Sequence, residues 1–175
     1  MNRIARLLDR AVGSLSAAAA TVSCVSILLI AVGVTFNAVS RYAFNKPYMF
    51  VDEYAQYLLV VTFYLGVGYT LRAGKHVMVE MLVGRLGLIV RLSLGMAVSI
   101  VSLGALAIMC YYAWTGFLST QRAGIVSLTP MQTPLALPFF AVAVGMTIFV
   151  LEMIVTIVND AVALGQRTRA GQLAE

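Results

Sequence analysis

Charge is what this chain has least of. Only 11% of its 175 residues are Asp, Glu, Lys or Arg, while 61% are hydrophobic. Soluble domains carry roughly 25% charge and about 45–50% apolar residues. Both departures run the same way, and a mean hydropathy of +0.94 assigns the chain to integral membrane proteins. The chain has one histidine, His76, and two cysteines, Cys24 and Cys110. A haem held by two histidines is therefore excluded. A metal centre of three or four ligands has no set of donors, since no second histidine or C-x-x-C accompanies His76. Each cysteine sits inside an apolar run and reads as a small hydrophobe. No cofactor is expected, and no metal.

The basic balance, +5 with a pI near 9.5, would point to nucleic acid in a soluble protein. Here the cations fall between apolar runs, where a membrane protein keeps its topology signal, so no nucleic-acid partner is expected. The first apolar run, about Gly13 to Ser40, follows Arg3, Arg6 and Arg10. It is too long for a signal-peptide core of roughly 7–15 residues and reads as a retained span.

Four runs are long enough to cross about 30 Å of hydrocarbon: 15–39, 54–71, 92–116 and 135–158. They are continuous rather than alternating, and a bilayer requires paired backbone groups, so helix is expected throughout. The expected architecture is a single all-α membrane domain over residues 1–175 with four transmembrane helices. A short interfacial amphipathic helix is expected in HVMVEMLVGRLG, where Met81, Leu82 and Leu86 form a stripe and Arg85 stands off it. Gly13, Ala17 and Thr21, and Gly66 with Thr70, offer small faces for a neighbouring helix.

Orientation follows from Lys and Arg. Arg3, Arg6, Arg10, Arg72, Lys75, Arg85, Arg91, Arg167 and Arg169 fall on one side, against Arg41, Lys46 and Arg122 on the other. Positive-inside then puts both termini in the cytoplasm. Tyr42, Phe44, Tyr48 and Phe50, and separately Tyr111, Tyr112 and Trp114, form aromatic belts on the opposite side. Pro47, Pro130 and Pro134 break helices in the outer connections.

A few polar residues stand out. Asp52 and Glu53 open the second span, where the helix dipole favours negative charge by about 0.3–1 kcal/mol and Asp52 is placed to cap. Glu152 lies inside the fourth run, about 9 Å from its end. An acid there pairs with a basic neighbour or couples proton movement. Arg72, Lys75 and His76 meet lipid headgroups or a partner at the inner rim. His76 is titratable near pH 6.5 and is the other candidate for a proton-linked role. Arg41 reads as a snorkelling cation beside Tyr42. Near-absence of buried charge, and spans without interruption, suit neither an enzyme nor an independent transporter. They suit a small subunit that supports a larger one.

The stretch from Arg41 to Leu86 resembles the small membrane subunit of tripartite ATP-independent periplasmic (TRAP) transporters, the DctQ-like family. The resemblance rests on an ordered set: Arg41-Tyr42-x-Phe44, Asp52-Glu53, Phe63-Tyr64-Leu65-Gly66, Leu71-Arg72-x-Gly74-x-His76-Val77, and Glu80. One departure is Phe50-Val51 before the acidic pair, where the family often has Trp. The resemblance implies a non-catalytic permease subunit in a bacterial or archaeal inner membrane. It implies a large multi-span membrane partner and a periplasmic substrate-binding protein, with sodium-driven uptake of an organic acid. Arg41, Tyr42, Asp52, Glu53, Arg72, His76 and Glu152 are then expected to contact the partner subunit or lipids, with no catalytic or substrate-binding residue in this chain. The rival reading is a stand-alone homodimeric, proton-coupled exporter built on Glu152.

Overall fold

The computed structural model describes residues 3–73 and 88–172, with side chains over 7–73 and 95–162. These residues form four helices: α1 Arg3–Phe44, α2 Met49–Ala73, α3 Leu88–Ala123 and α4 Ala136–Gln172. Among the described residues there is no strand, only one isolated antiparallel bridge between Val126 and Pro134. The expected interfacial helix in HVMVEMLVGRLG, residues 76–87, lies outside the described residues.

Three of the helices are long and apolar enough to cross a membrane, over Leu7–Phe44, Gly95–Ala123 and Ala136–Val162. The first run was expected over 15–39 and the third over 92–116. Their helices extend past those outer limits because the backbone stops at capping residues, not where hydropathy falls. α1 ends where Asn45 takes a left-handed conformation (φ 53) and Pro47 follows. The Lys46 N–H donates to the Ser40 carbonyl, and the Ser40 hydroxyl donates to the Lys46 carbonyl. α3 ends at Gly124 (φ 59), whose neighbour Ile125 returns a hydrogen bond to the Thr120 carbonyl. α2 is a 25-residue helix whose apolar stretch is interrupted by tyrosines. At a rise of roughly 1.5 Å per residue it is about 37 Å long.

α2 runs antiparallel to α1 and parallel to α4, and α3 runs antiparallel to α4. α4 is the hub, packing on each of the other three among the described residues. Burial follows: 44% of the most apolar stretch of α4 is buried, against none of that of α3. α3 instead turns Val98, Val101, Ile108, Tyr111 and Tyr112 outward.

The seam of α1 differs from the expected small-residue face. Ala17 and Thr21 are exposed, and the buried line is Val12, Ser16, Ala19, Ser23, Ser26, Asn37 and Ser40. These follow alternating three- and four-residue steps, the spacing that keeps one stripe facing a partner helix. Residues 13, 17 and 21 drift off that stripe. Gly66 does serve the close approach: a Cβ there would stand 2.8 Å from the Ser23 hydroxyl oxygen. That hydroxyl donates across the seam to the Thr62 carbonyl at 2.7 Å. Gly145 of α4 is tighter still, since a Cβ would collide with the Tyr64 backbone of α2.

Candidate functional site

Two polar layers interrupt this apolar bundle. The inner layer centres on Arg72 in the last turn of α2. One guanidinium nitrogen donates to the Glu152 carboxylate of α4 at 3.3 Å, and the other to Asp9 Oδ1 of α1 at 3.0 Å. The second nitrogen also donates to the Asp9 carbonyl at 3.2 Å. Asn159 adds a weak amide bond to Asp9 at 3.4 Å. Gly13 makes the reach feasible, because a Cβ at that position would stand 2.6 Å from the Arg72 guanidinium carbon. Glu152 is fully buried. A buried carboxylate is costly without a partner, and the Arg72 guanidinium supplies one.

The outer layer is built from the α1–α2 turn and the α3–α4 connection. Asn37 is used twice: its amide nitrogen donates to Asp52 at 3.1 Å, and its oxygen accepts from the Tyr48 N–H at 2.9 Å. Asp52 lies in the first turn of a helix that begins at Met49, so it serves as a tie to α1, not as the expected cap. Glu53, buried at 6% exposure, accepts from the Tyr57 hydroxyl at 2.8 Å and the Thr129 hydroxyl at 2.6 Å. Thr129 belongs to the α3–α4 connection, so one carboxylate clamps that loop to α2. Its hydroxyl, with lesser help from Tyr57, holds the Glu53 carboxyl below the usual carboxylate range, against burial, which acts the other way. A third tie joins α3 to α4, where Trp114 donates to Thr147 at 3.0 Å.

The expected contact residues therefore divide. Arg72 and Glu152 come together, as a basic–acidic pairing at depth requires. Asp52 and Glu53 share the outer layer but take separate partners. Arg41 and Tyr42 remain outside both layers, with the Arg41 guanidinium 5.2 Å from the Tyr42 ring centre. Tyr42 is 82% exposed. His76 lies outside the described residues. Asp9 and Thr129 were not anticipated. Asp9 is masked in sequence by the surrounding Arg3, Arg6 and Arg10, and Thr129 by a connection with no periodicity. Among the described residues no three His, Cys, Asp or Glu side chains group as a metal site. The exporter reading loses its central residue, since Glu152 is already held by Arg72.

The family comparison covers this framework. A family model for the DctQ component of tripartite ATP-independent periplasmic transporters matches residues 30–163. No curated protein matches the chain. The matched stretch takes in Asn37, Asp52, Glu53, Arg72, Thr129 and Glu152, and so both polar layers except Asp9. With well over half its length matched, the chain belongs to the DctQ family, the small component of TRAP transporters.

Proposed function

We propose that the chain is a non-catalytic scaffold subunit that packs against a large transport subunit and holds it in a bacterial or archaeal inner membrane. The complex would take up an organic acid delivered by a periplasmic binding protein, with sodium as the driving ion. The observation that carries this reading is how the ionisable groups of the two layers are used. Arg72, Asp9 and Glu152 tie three helices together, Asp52 ties α2 to α1, and Glu53 ties α2 to the outer connection. Each is engaged in holding helices to one another, which suits a rigid support better than a translocation pathway.

The same layers support four spans with both termini cytoplasmic. Asp52 and Arg72 stand about 30 Å apart along α2 at a rise of roughly 1.5 Å per residue, matching the hydrocarbon thickness of about 30 Å. α2 then crosses the bilayer despite its tyrosines, with Arg72 at the inner boundary and the Asn37–Asp52 pair at the outer one. Arg41, Tyr42, and the outward face of α3 are left for lipid or the large subunit, and His76 for the inner rim.

Co-expression tests this reading. The chain, affinity-tagged, is expected to co-purify with the large membrane subunit of its transporter when the two are co-expressed, at fixed stoichiometry in mild detergent. Recovery of the chain alone, with the large protein folded and active without it, would overturn the scaffold role.

A further inference from the structure

The turn between α1 and α2 folds back on the end of α1. The Ser40 hydroxyl donates to the Lys46 carbonyl at 2.9 Å, and the Asn37 side chain accepts from the Tyr48 N–H. The Lys46 backbone therefore stands beside Ser40, about 5 Å outward of Asn37 at a rise of roughly 1.5 Å per residue. The fold-back leaves a cavity of about 370 Å³ lined by Phe36, Val39, Ser40, Phe44, Lys46 and Tyr48. Two of its rings, Phe36 and Tyr48, are stacked with centres 5.9 Å apart.

Charge and depth select the occupant. Among the described residues no carboxylate lies within ion-pair distance of Lys46. Its companions Phe36, Val39 and Phe44 are apolar and exposed. With the Asn37–Asp52 pair at the outer boundary, Phe36 and Val39 stand at the edge of the hydrocarbon. Lys46 then stands in the headgroup layer, which is about 5–7 Å thick on each side. A molecule with an apolar tail and an anionic head matches both levels. We propose that this groove binds an anionic phospholipid of the outer leaflet, with an acyl chain against Phe36 and Val39 and the phosphate at Lys46.

The two halves of the groove are needed together. A lysine stem lies along apolar surface while its ammonium, with three donors, meets a phosphate. A free phosphate would use Lys46 and leave the aromatic walls bare, and an uncharged lipid would do the reverse. A phosphatidylcholine head carries its own cation, which offsets the attraction. Arg41 is the other exposed cation at this end of α1, but it lies over the Tyr42 ring and does not line the groove. The bound lipid would fasten the turn over 45–48 to the bilayer. This site goes beyond the scaffold role and rests on that reading only for the position of the outer boundary.

The test uses the full chain purified in an uncharged detergent and titrated with phosphatidylglycerol, with phosphatidylcholine of the same acyl chains, or with glycerol phosphate. Hydrogen exchange over 42–50 is the readout. Phosphatidylglycerol is expected to slow exchange there, and the other two to have little effect. Lys46→Gln should raise the phosphatidylglycerol concentration for half-protection about fivefold. Arg41→Gln removes the same charge from the same end and should shift it by less than about twofold. Both side chains are exposed, so both variants are expected to fold. No protection by phosphatidylglycerol, or equal protection by phosphatidylcholine or glycerol phosphate, would overturn the proposal. Full protection in Lys46→Gln, or an equal loss in both variants, would replace the site with diffuse charge and overturn it too. Failure to co-purify with the large subunit bears on the scaffold role alone.

Discussion

Arg72 and Glu152, far apart in sequence, meet at 3.3 Å between the last turn of α2 and the middle of α4, with Asp9 of α1 closing the third side at 3.0 Å. Removing one partner of such a group leaves a bare buried charge. Arg72→Met is expected to destabilise the chain by about 3 kcal/mol and to lower the yield of folded protein. Arg72→Met with Glu152→Met should recover much of that loss, because the pair is then replaced by apolar groups. Thermal melts of the purified single and double variants read the coupling directly.

Helix packing gives a second, purely steric contrast. Gly145→Ala places a methyl group against the Tyr64 backbone, which cannot give way as a side chain tip can. It should cost about 1–3 kcal/mol. Gly104→Ala on α3 meets nothing within 4 Å and should be neutral or slightly stabilising. Melting midpoints of the two variants, measured side by side, check the difference.

The Glu53 clamp carries a pH dependence with a definite sign. Its carboxyl titrates below its ordinary value of 4.5 in the folded chain. The clamp is therefore at full strength above that ordinary value and is lost as pH falls through the lower, folded one. Hydrogen exchange over 125–135, corrected for intrinsic rates, should be constant from about pH 7 to 5 and should rise selectively below about pH 4.5. In Glu53→Gln the acid-specific rise should be absent.

Much of this was legible in the sequence because a membrane imposes few solutions. Long apolar runs gave the helices, and Pro47, Pro130 and Pro134 marked the connections between them, whereas the left-handed residues Asn45 and Gly124 that end α1 and α3 were not picked out. The acidic pair and Arg72 were visible as rare charges in an apolar chain. Their partners were not. Whether Arg72 meets lipid, a partner protein or Glu152 depends on how α2 lies against α4, and no local period encodes that. Hydropathy closed the second span at Leu71 and so assigned Arg72 to a loop, although the helix includes it and aims it inward through the gap left by Gly13. The seam of α1 misled for a related reason. Ser16, Ser23 and Ser26 look no more buried than Ala17 and Thr21 until the three-and-four spacing is followed over the whole helix.

Topology offers an independent check on the two layers. In a background lacking Cys24 and Cys110, a cysteine at Lys46 or at Leu128 should react with an impermeant maleimide from the periplasmic side. Leu128 is fully exposed at the turn of the outer connection. A cysteine at Arg10 should react only after the inner membrane is opened. Labelling of Lys46→Cys and Arg10→Cys from the same side would show that α1 does not cross.

The central claim, that this chain supports transport without performing it, is tested most directly by reconstitution. Liposomes would hold the chain alone, the chain with its large membrane partner, or both with the periplasmic binding protein supplied outside, under an inward sodium gradient. Uptake of the organic acid retained by that binding protein is predicted only for the complete set. Sodium-driven uptake by liposomes holding this chain alone would contradict the account.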